Sequence, residues 1–276
     1  MSNLVLSGGG ADLLLRRGIM YIEETPLENL TFTIITSGTI NWKCTNNSYS
    51  KTIQYNINGT GWKNWTSSSN NSSVFKRTFS AGQIIEFRGT NTTYATSTTY
   101  RNYFDIESAQ IYISGSIMSL LGDPNLKTIS SNYAFAGLFS GRGNILSAPI
   151  LPATTLTKGC YASMFNNCNF TSPPELPATT LAQDCYNYMF ISCSKFTVAP
   201  LLPAKTLVSG CYTGMFYNCS SLNYIKALFT TTPSSTYTSS WVSGVSSTGI
   251  FIKSSDATWN VTGNNGIPSG WTIQIA

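Results

Sequence analysis

Between Pro26 and about Ser114 apolar and polar positions alternate. Leu30, Phe32 and Ile34 form one series. Ile40 with Trp42, Ile53 with Tyr55 and Ile57, Ile85 with Phe87, Phe104 with Ile106, and Ile111 with Ile113 form others. A period of two marks a strand with one buried face. Asn58-Gly59 follows the third series at once, a hairpin dipeptide, and Ser68-Ser69-Asn70-Asn71 and Ala81-Gly82 separate later ones. Beyond this region the pattern changes. From Tyr133 to Phe229 one phrase is written three times: Leu151-Pro152-Ala153-Thr154-Thr155-Leu156, then Cys160-Tyr161, Met164-Phe165 and Cys168. It returns with Leu176, Cys185, Met189-Phe190 and Cys193, and again with Leu202, Cys211, Met215-Phe216 and Cys219. A degenerate earlier copy has Phe135, Leu138-Phe139 and Ile145 without cysteines.

Each block implies an architecture. Roughly seven short strands in about 90 residues predict an immunoglobulin-like β-sandwich over residues 26–115. The repeat step is 25 residues, then 26, which predicts a solenoid over residues 116–229 whose coils bury their apolar faces against one another. Within a coil, Cys160, Tyr161, Met164, Phe165 and Cys168 fall at i, i+1, i+4, i+5 and i+8, the spacing of one face of a two-turn helix. The Thr/Ser/Pro stretch that follows leaves room for a brief strand. Pro149, Pro173, Pro174, Pro177, Pro200 and Pro203 bar a continuing helix there. The expected class is mainly β with short helices. Residues 230–276, with Ile250-Phe251-Ile252, Trp241, Trp259 and Trp271, are expected to form a β cap closing the open end.

At the repeated L-P-A-T-T-L, C-Y-x-x-M-F and x-x-C phrases the chain resembles the BspA-like, or treponemal-type, leucine-rich repeats common in surface proteins of gut Bacteroidales and their phages. Gly115-Ser116-Ile117-Met118-Ser119-Leu120-Leu121-Gly122 resembles the segment leading into such arrays. Trp241-Val242-Ser243-Gly244 and Gly266-Ile267-Pro268-Ser269-Gly270-Trp271 resemble the tail that closes them. The resemblance implies a horseshoe-like or flattened solenoid with a binding or adhesive role and no catalysis. It implies no ligand residue common to the family.

Composition sharpens this. Charged residues make up only 10% of the chain, far below the ordinary quarter, and Thr, Ser and Asn take their place. That neutral, hydrogen-bonding surface suits extracellular and virion proteins. The net charge of +5 is scattered, with no basic stripe to meet nucleic acid. There is no histidine, so His-based acid–base catalysis and His-containing metal sites are excluded. No apolar run reaches the ~18 residues that would span a membrane. The opening Met1-Ser2-Asn3-Leu4-Val5-Leu6 lacks the early basic residue of a secretory signal. Residues 1–25 therefore read as an anchoring arm. Leu4, Leu6, Leu13, Leu14 and Leu15 supply apolar contacts, and Gly8, Gly9 and Gly10 permit close backbone approach. The partners expected for it are other virion proteins, in an oligomeric or assembly-bound state. A short element packed on the following domain is the plainer alternative.

Three candidate chemistries remain. Trp62, Trp65 and Tyr100 could form a platform for stacking sugars, against the plainer expectation of cross-strand pairs and core. Asp105 and Glu107 lie two apart, as a carboxylate pair for glycan cleavage would need to converge, but nothing else in the sequence converges with them. The six repeat cysteines are too widely spaced for a metal site and too far apart within a coil for a disulfide. Cross-repeat bonds stay open, and reduced, buried thiols are the favoured expectation. The function expected is therefore non-enzymatic: a phage capsid-decorating or fibre protein at the virion surface, touching a host-surface protein or glycan. No cofactor is implied. A bacterial cell-surface adhesin is the alternative, and a glycan-degrading enzyme the least favoured reading.

Overall fold

Strands form where the alternation ran. The computed structural model describes residues 11–16 and 19–24 as backbone, and residues 26–69, 76–141 and 143–276 in full. Leu4, Leu6, Gly8, Gly9 and Gly10 lie outside the described residues. Leu13, Leu14 and Leu15 fall in β1 (Ala11–Arg16), which pairs antiparallel with β2 (Ile19–Glu24). The following strands are β3 (Leu30–Thr36), β4 (Gly38–Cys44), β5 (Thr52–Ile57), β6 (Lys63–Thr66), β7 (Lys76–Phe79), β8 (Ile84–Arg88), β9 (Asn102–Ile106) and β10 (Gln110–Ser114). They make an antiparallel five-stranded sheet, in the order β10-β3-β8-β5-β6, and a three-stranded one, β7-β4-β9. The fold is mainly β with few helices.

Alternate residues of the two sheets meet in one core. Phe32 of β3 and Phe87 of β8 touch Phe104 of β9, with ring centroids 5.0 Å apart in each case. Trp42 of β4 packs on Phe104 at 4.8 Å and satisfies its indole N–H on the Lys51 carbonyl at 2.8 Å. The residues between them point to the opposite face of each sheet, as period two requires, and there Asn41 and Asp105 are themselves buried.

The repeats do not form the two-turn helices that their spacing suggested. Among the described residues the α-helix is a single short turn, Ser235–Thr238. A residue with positive φ instead recurs every fourth position: Gly159, Ser163 and Asn167, then Asp184, Tyr188 and Ser192, then Gly210, Gly214 and Asn218. The degenerate copy keeps the rule with Tyr133, Gly137 and Gly141. In the three full copies the two residues after each of the first two left-handed positions are buried, which places Cys160-Tyr161 and Met164-Phe165 inside, and after the third position the cysteine alone is buried. The amides divide their bonding. Those of Ala162, Met164 and Asn166 bond three residues back, while those of Tyr161, Ser163 and Phe165 reach the carbonyls of Cys185, Asn187 and Met189 in the next unit. Each unit is thus a flat ladder of turns, and every rung is bonded to its neighbour.

Ring columns run through the stack. Phe104, Phe139, Phe165, Phe190 and Phe216 follow one another at 5.6 to 5.9 Å, nearly parallel. Phe135, Tyr161, Tyr186 and Tyr212 form a second column, which Tyr94 of the sheet region begins. Trp241 stacks on Tyr212 at 6.2 Å and closes both. Three parallel strands follow, β11 (Tyr224–Ala227), β12 (Ile250–Lys253) and β13 (Thr272–Ile275). One buried apolar cluster extends from Leu30 to Trp271. The joint between the sheets and the stack is hydrogen-bonded: Phe104 N–H donates to Leu138 and Tyr94 N–H to Ala134, while Ser116 bridges both Asn29 and Ile150.

Candidate functional site

The sugar-stacking trio does not assemble. Trp65 lies opposite Ile53 on the inward side of β6 and is 3% exposed, packed on Tyr55 at 5.5 Å. Its strand parity removes it from any surface platform. Tyr100 is 45% exposed and stacks on Tyr49, centroids 5.0 Å apart. Trp62 is half-buried, and the Arg88 guanidinium sits over its ring at 4.1 Å. Trp62 thereby packs its ring on a side chain that lines a cavity.

That residue leads to a groove of about 650 Å³ across β5, β6 and β8, partly open to solvent. Its floor is the outward face of the five-stranded sheet, where register sets Gln54 beside both Asn64 and Arg88. Arg88 Nε donates to Gln54 Oε1 at 2.8 Å, and Gln54 Nε2 donates to Asn64 Oδ1 at 3.1 Å. Thr52 and Thr66 share a hydroxyl hydrogen bond of 2.6 Å alongside. Lys51 lines the near end, its amide fixed by Ser67 Oγ and Asn102 Oδ1 at 2.9 and 3.1 Å. The far wall is Gly89 to Asn91 together with Gly122. Asn91 Nδ2 donates to the Thr52 carbonyl at 2.8 Å and to the Tyr94 hydroxyl at 3.3 Å, and that hydroxyl donates to the Leu120 carbonyl at 2.6 Å. A Cβ on Gly89 would stand 2.2 Å from the Tyr94 oxygen, so only glycine lets the wall close. Burial raises the Tyr94 phenol above its ordinary range, which keeps it a neutral donor.

No protein-family model, curated protein or solved structure matches the chain.

Asp105 and Glu107 are both engaged by cations. Lys43 Nζ lies 2.5 Å from Asp105 and 3.9 Å from Glu107, and Lys76 Nζ lies 3.0 Å from Glu107. Glu107 also accepts from Asn41 Nδ2 at 3.0 Å. The carboxylates are held in an ion network that joins β4 and β7 to the end of β9.

The cysteines are buried free thiols. Cys193 and Cys219 donate to the carbonyls of Phe165 and Phe190, at 2.9 and 3.0 Å, in the unit before. Burial pushes the Cys160 and Cys193 thiols up to about 12 and Cys211 to about 11. Cys185 and Cys219 also rise well above the usual range, through burial first and then neighbouring thiols. Such buried thiols stay protonated at neutral pH. Among the described residues no group of three or more Cys, Asp or Glu converges as a metal site.

The sequence pointed to Trp62 but not to Gln54, Asn64, Arg88 or Lys51. The groove depends on the strand order β8-β5-β6, which no local pattern encodes.

Proposed function

We propose that this chain is a non-enzymatic structural and binding protein, a phage virion component of the capsid-decorating or fibre kind. In this reading the stacked turns of residues 116–229 are a short BspA-type leucine-rich-repeat solenoid held out for adhesion to a host-surface protein or glycan. The sheets of residues 26–115 are an immunoglobulin-like sandwich closing its near end, residues 230–276 close the other, and residues 1–25 touch other virion proteins.

The observation that carries the proposal is the unbroken core from Leu30 to Trp271. A stack whose every unit is bonded to the next behaves as a stiff spacer, and solenoids of this kind offer one extended face to a partner. Its skin is poor in charge and rich in hydroxyls and amides, groups that exchange hydrogen bonds with saccharides and proteins alike. The repeat phrases add the resemblance to surface proteins. That resemblance also favours the alternative, a bacterial cell-surface adhesin.

Two linked assays test it. Antibody against residues 116–229 should label intact phage particles by immunoelectron microscopy, and the purified chain should bind intact Bacteroidales cells. Label on bacterial envelopes with none on particles would select the adhesin. Absence of binding to cells would overturn the adhesion reading.

A further inference from the structure

The groove over β5, β6 and β8 is rich in donors. Arg88 and Lys51 both line it, and none of its lining residues is acidic. The neighbouring carboxylates are hydrogen-bonded locally: Glu86 accepts from Asn56 Nδ2 at 3.1 Å, and Asp123 from the Asn125 amide at 2.8 Å.

The hydrogen bonds fix which atoms are left over. Arg88 can only donate, so Gln54 turns its oxygen to the guanidinium and its NH₂ to the Asn64 oxygen. Among the described residues this leaves the Asn64 NH₂ and the terminal N–H groups of Arg88 without an acceptor. The Trp62 ring at 4.1 Å holds the guanidinium plane in place. A fork so held is suited to a bidentate pair with a carboxylate or sulfate. The cavity, at about 650 Å³, is far larger than a lone ion requires and falls in the range of small-ligand sites. Its hydroxyls and amides suit a ligand bearing many hydroxyl groups.

We propose that this groove binds an anionic saccharide, with Arg88 and Lys51 taking its acidic groups and Asn64 and Thr52 its hydroxyls. The inference rests on the adhesion reading and narrows it to a ligand class and a place. Little ordering is needed on binding, because Gln54, Arg88 and Asn91 are already fixed.

The test is titration of the full chain with a galacturonate trimer and a heparin-derived tetrasaccharide, each beside its uncharged counterpart, methyl-esterified or desulfated. At least one anionic probe should bind about tenfold tighter than its counterpart, the change one charge-assisted hydrogen bond produces. Arg88→Gln should abolish that preference and Lys51→Gln weaken it, with thermal melting unchanged in both variants. No preference for either anionic probe, or a preference that survives Arg88→Gln, would overturn the proposal. Binding to whole cells separates the two levels. Wild type that adheres to cells but shows no anionic preference overturns the groove alone, whereas wild type that does neither overturns the adhesion reading as well.

Discussion

At the scale of single residues, the stack depends on what occupies its left-handed positions. Gly214 has φ +58°, and a Cβ there would lie 2.1 Å from the Tyr188 ring of the preceding unit. Gly159 sits in the same way beneath Tyr133, with a Cβ contact of 2.4 Å. A large side chain at one left-handed position is thus accommodated by a glycine one unit later. Gly214→Ala should destabilise by more than about 2 kcal/mol, the backbone alone costing roughly 1–2 kcal/mol. Adding Tyr188→Ala should recover the clash and leave the backbone part, a non-additivity that a double-mutant cycle of chemical denaturation reads directly. The thiols give a second outcome. Burial holds the Cys160 and Cys193 protons until about pH 12, whereas an unfolded thiol loses its proton near 9.0. The unfolded state therefore binds fewer protons across that window, so stability is full below pH 9 and falls as pH rises toward 12. The slope is about 1.4 kcal/mol per pH unit per thiol. Melting temperature followed from pH 8 to 11 should drop steeply, and Cys160→Ala should flatten the slope.

At the scale of elements, the strands were written plainly, since Leu30, Phe32 and Ile34 are buried and alternate with partly exposed threonines. The inward residues of the repeats were equally legible. Met164-Phe165, Met189-Phe190 and Met215-Phe216 are all fully buried. The element carrying them was misread because a spacing of i, i+1, i+4, i+5 and i+8 over nine residues fits a 3.6-residue helix and a four-residue turn nearly equally. The deciding signal lay between the apolar positions. Small or turn-forming residues at 159, 163 and 167, and at 210, 214 and 218, recur every fourth place, where a helix would favour good helix formers. Tyr188 breaks that composition rule and hides the signal in the middle copy. The far-ultraviolet circular dichroism spectrum should accordingly lack the helical minimum near 222 nm that three two-turn helices would contribute. Phe190 lies between Phe165 and Phe216 at 5.8 and 5.9 Å, with Phe196 edge-on at 5.7 Å. Phe190→Ala should cost about 3–5 kcal/mol in denaturant unfolding. A loss within about 0.5 kcal/mol, the scale of a surface change, would mean that the stack does not need it.

At the scale of the molecule, the sheets and the stack are two folding patterns sharing one interior. The Phe104–Phe139 contact and the Phe104-to-Leu138 hydrogen bond carry the ladder from β9 into the first turn unit. Ser119 secures the same joint, accepting from the Leu30 amide at 3.0 Å and donating to the Phe87 carbonyl at 2.8 Å. Ser119→Ala removes both buried hydrogen bonds, at about 0.5–1.5 kcal/mol each, and the loss should appear equally in probes of the sheets and of the repeats. Sequence marked a change of pattern near residue 115, and nothing in either pattern announced that the core would cross it, because the contacts join residues far apart in the chain. Native-state hydrogen exchange tests that continuity most directly. The account predicts that the amides of Phe32, Phe104, Phe139, Phe165, Phe190 and Phe216 exchange with one shared opening free energy equal to that of global unfolding. Repeat amides that exchange by a separate, lower-energy opening while those of β3 and β9 stay protected would contradict it.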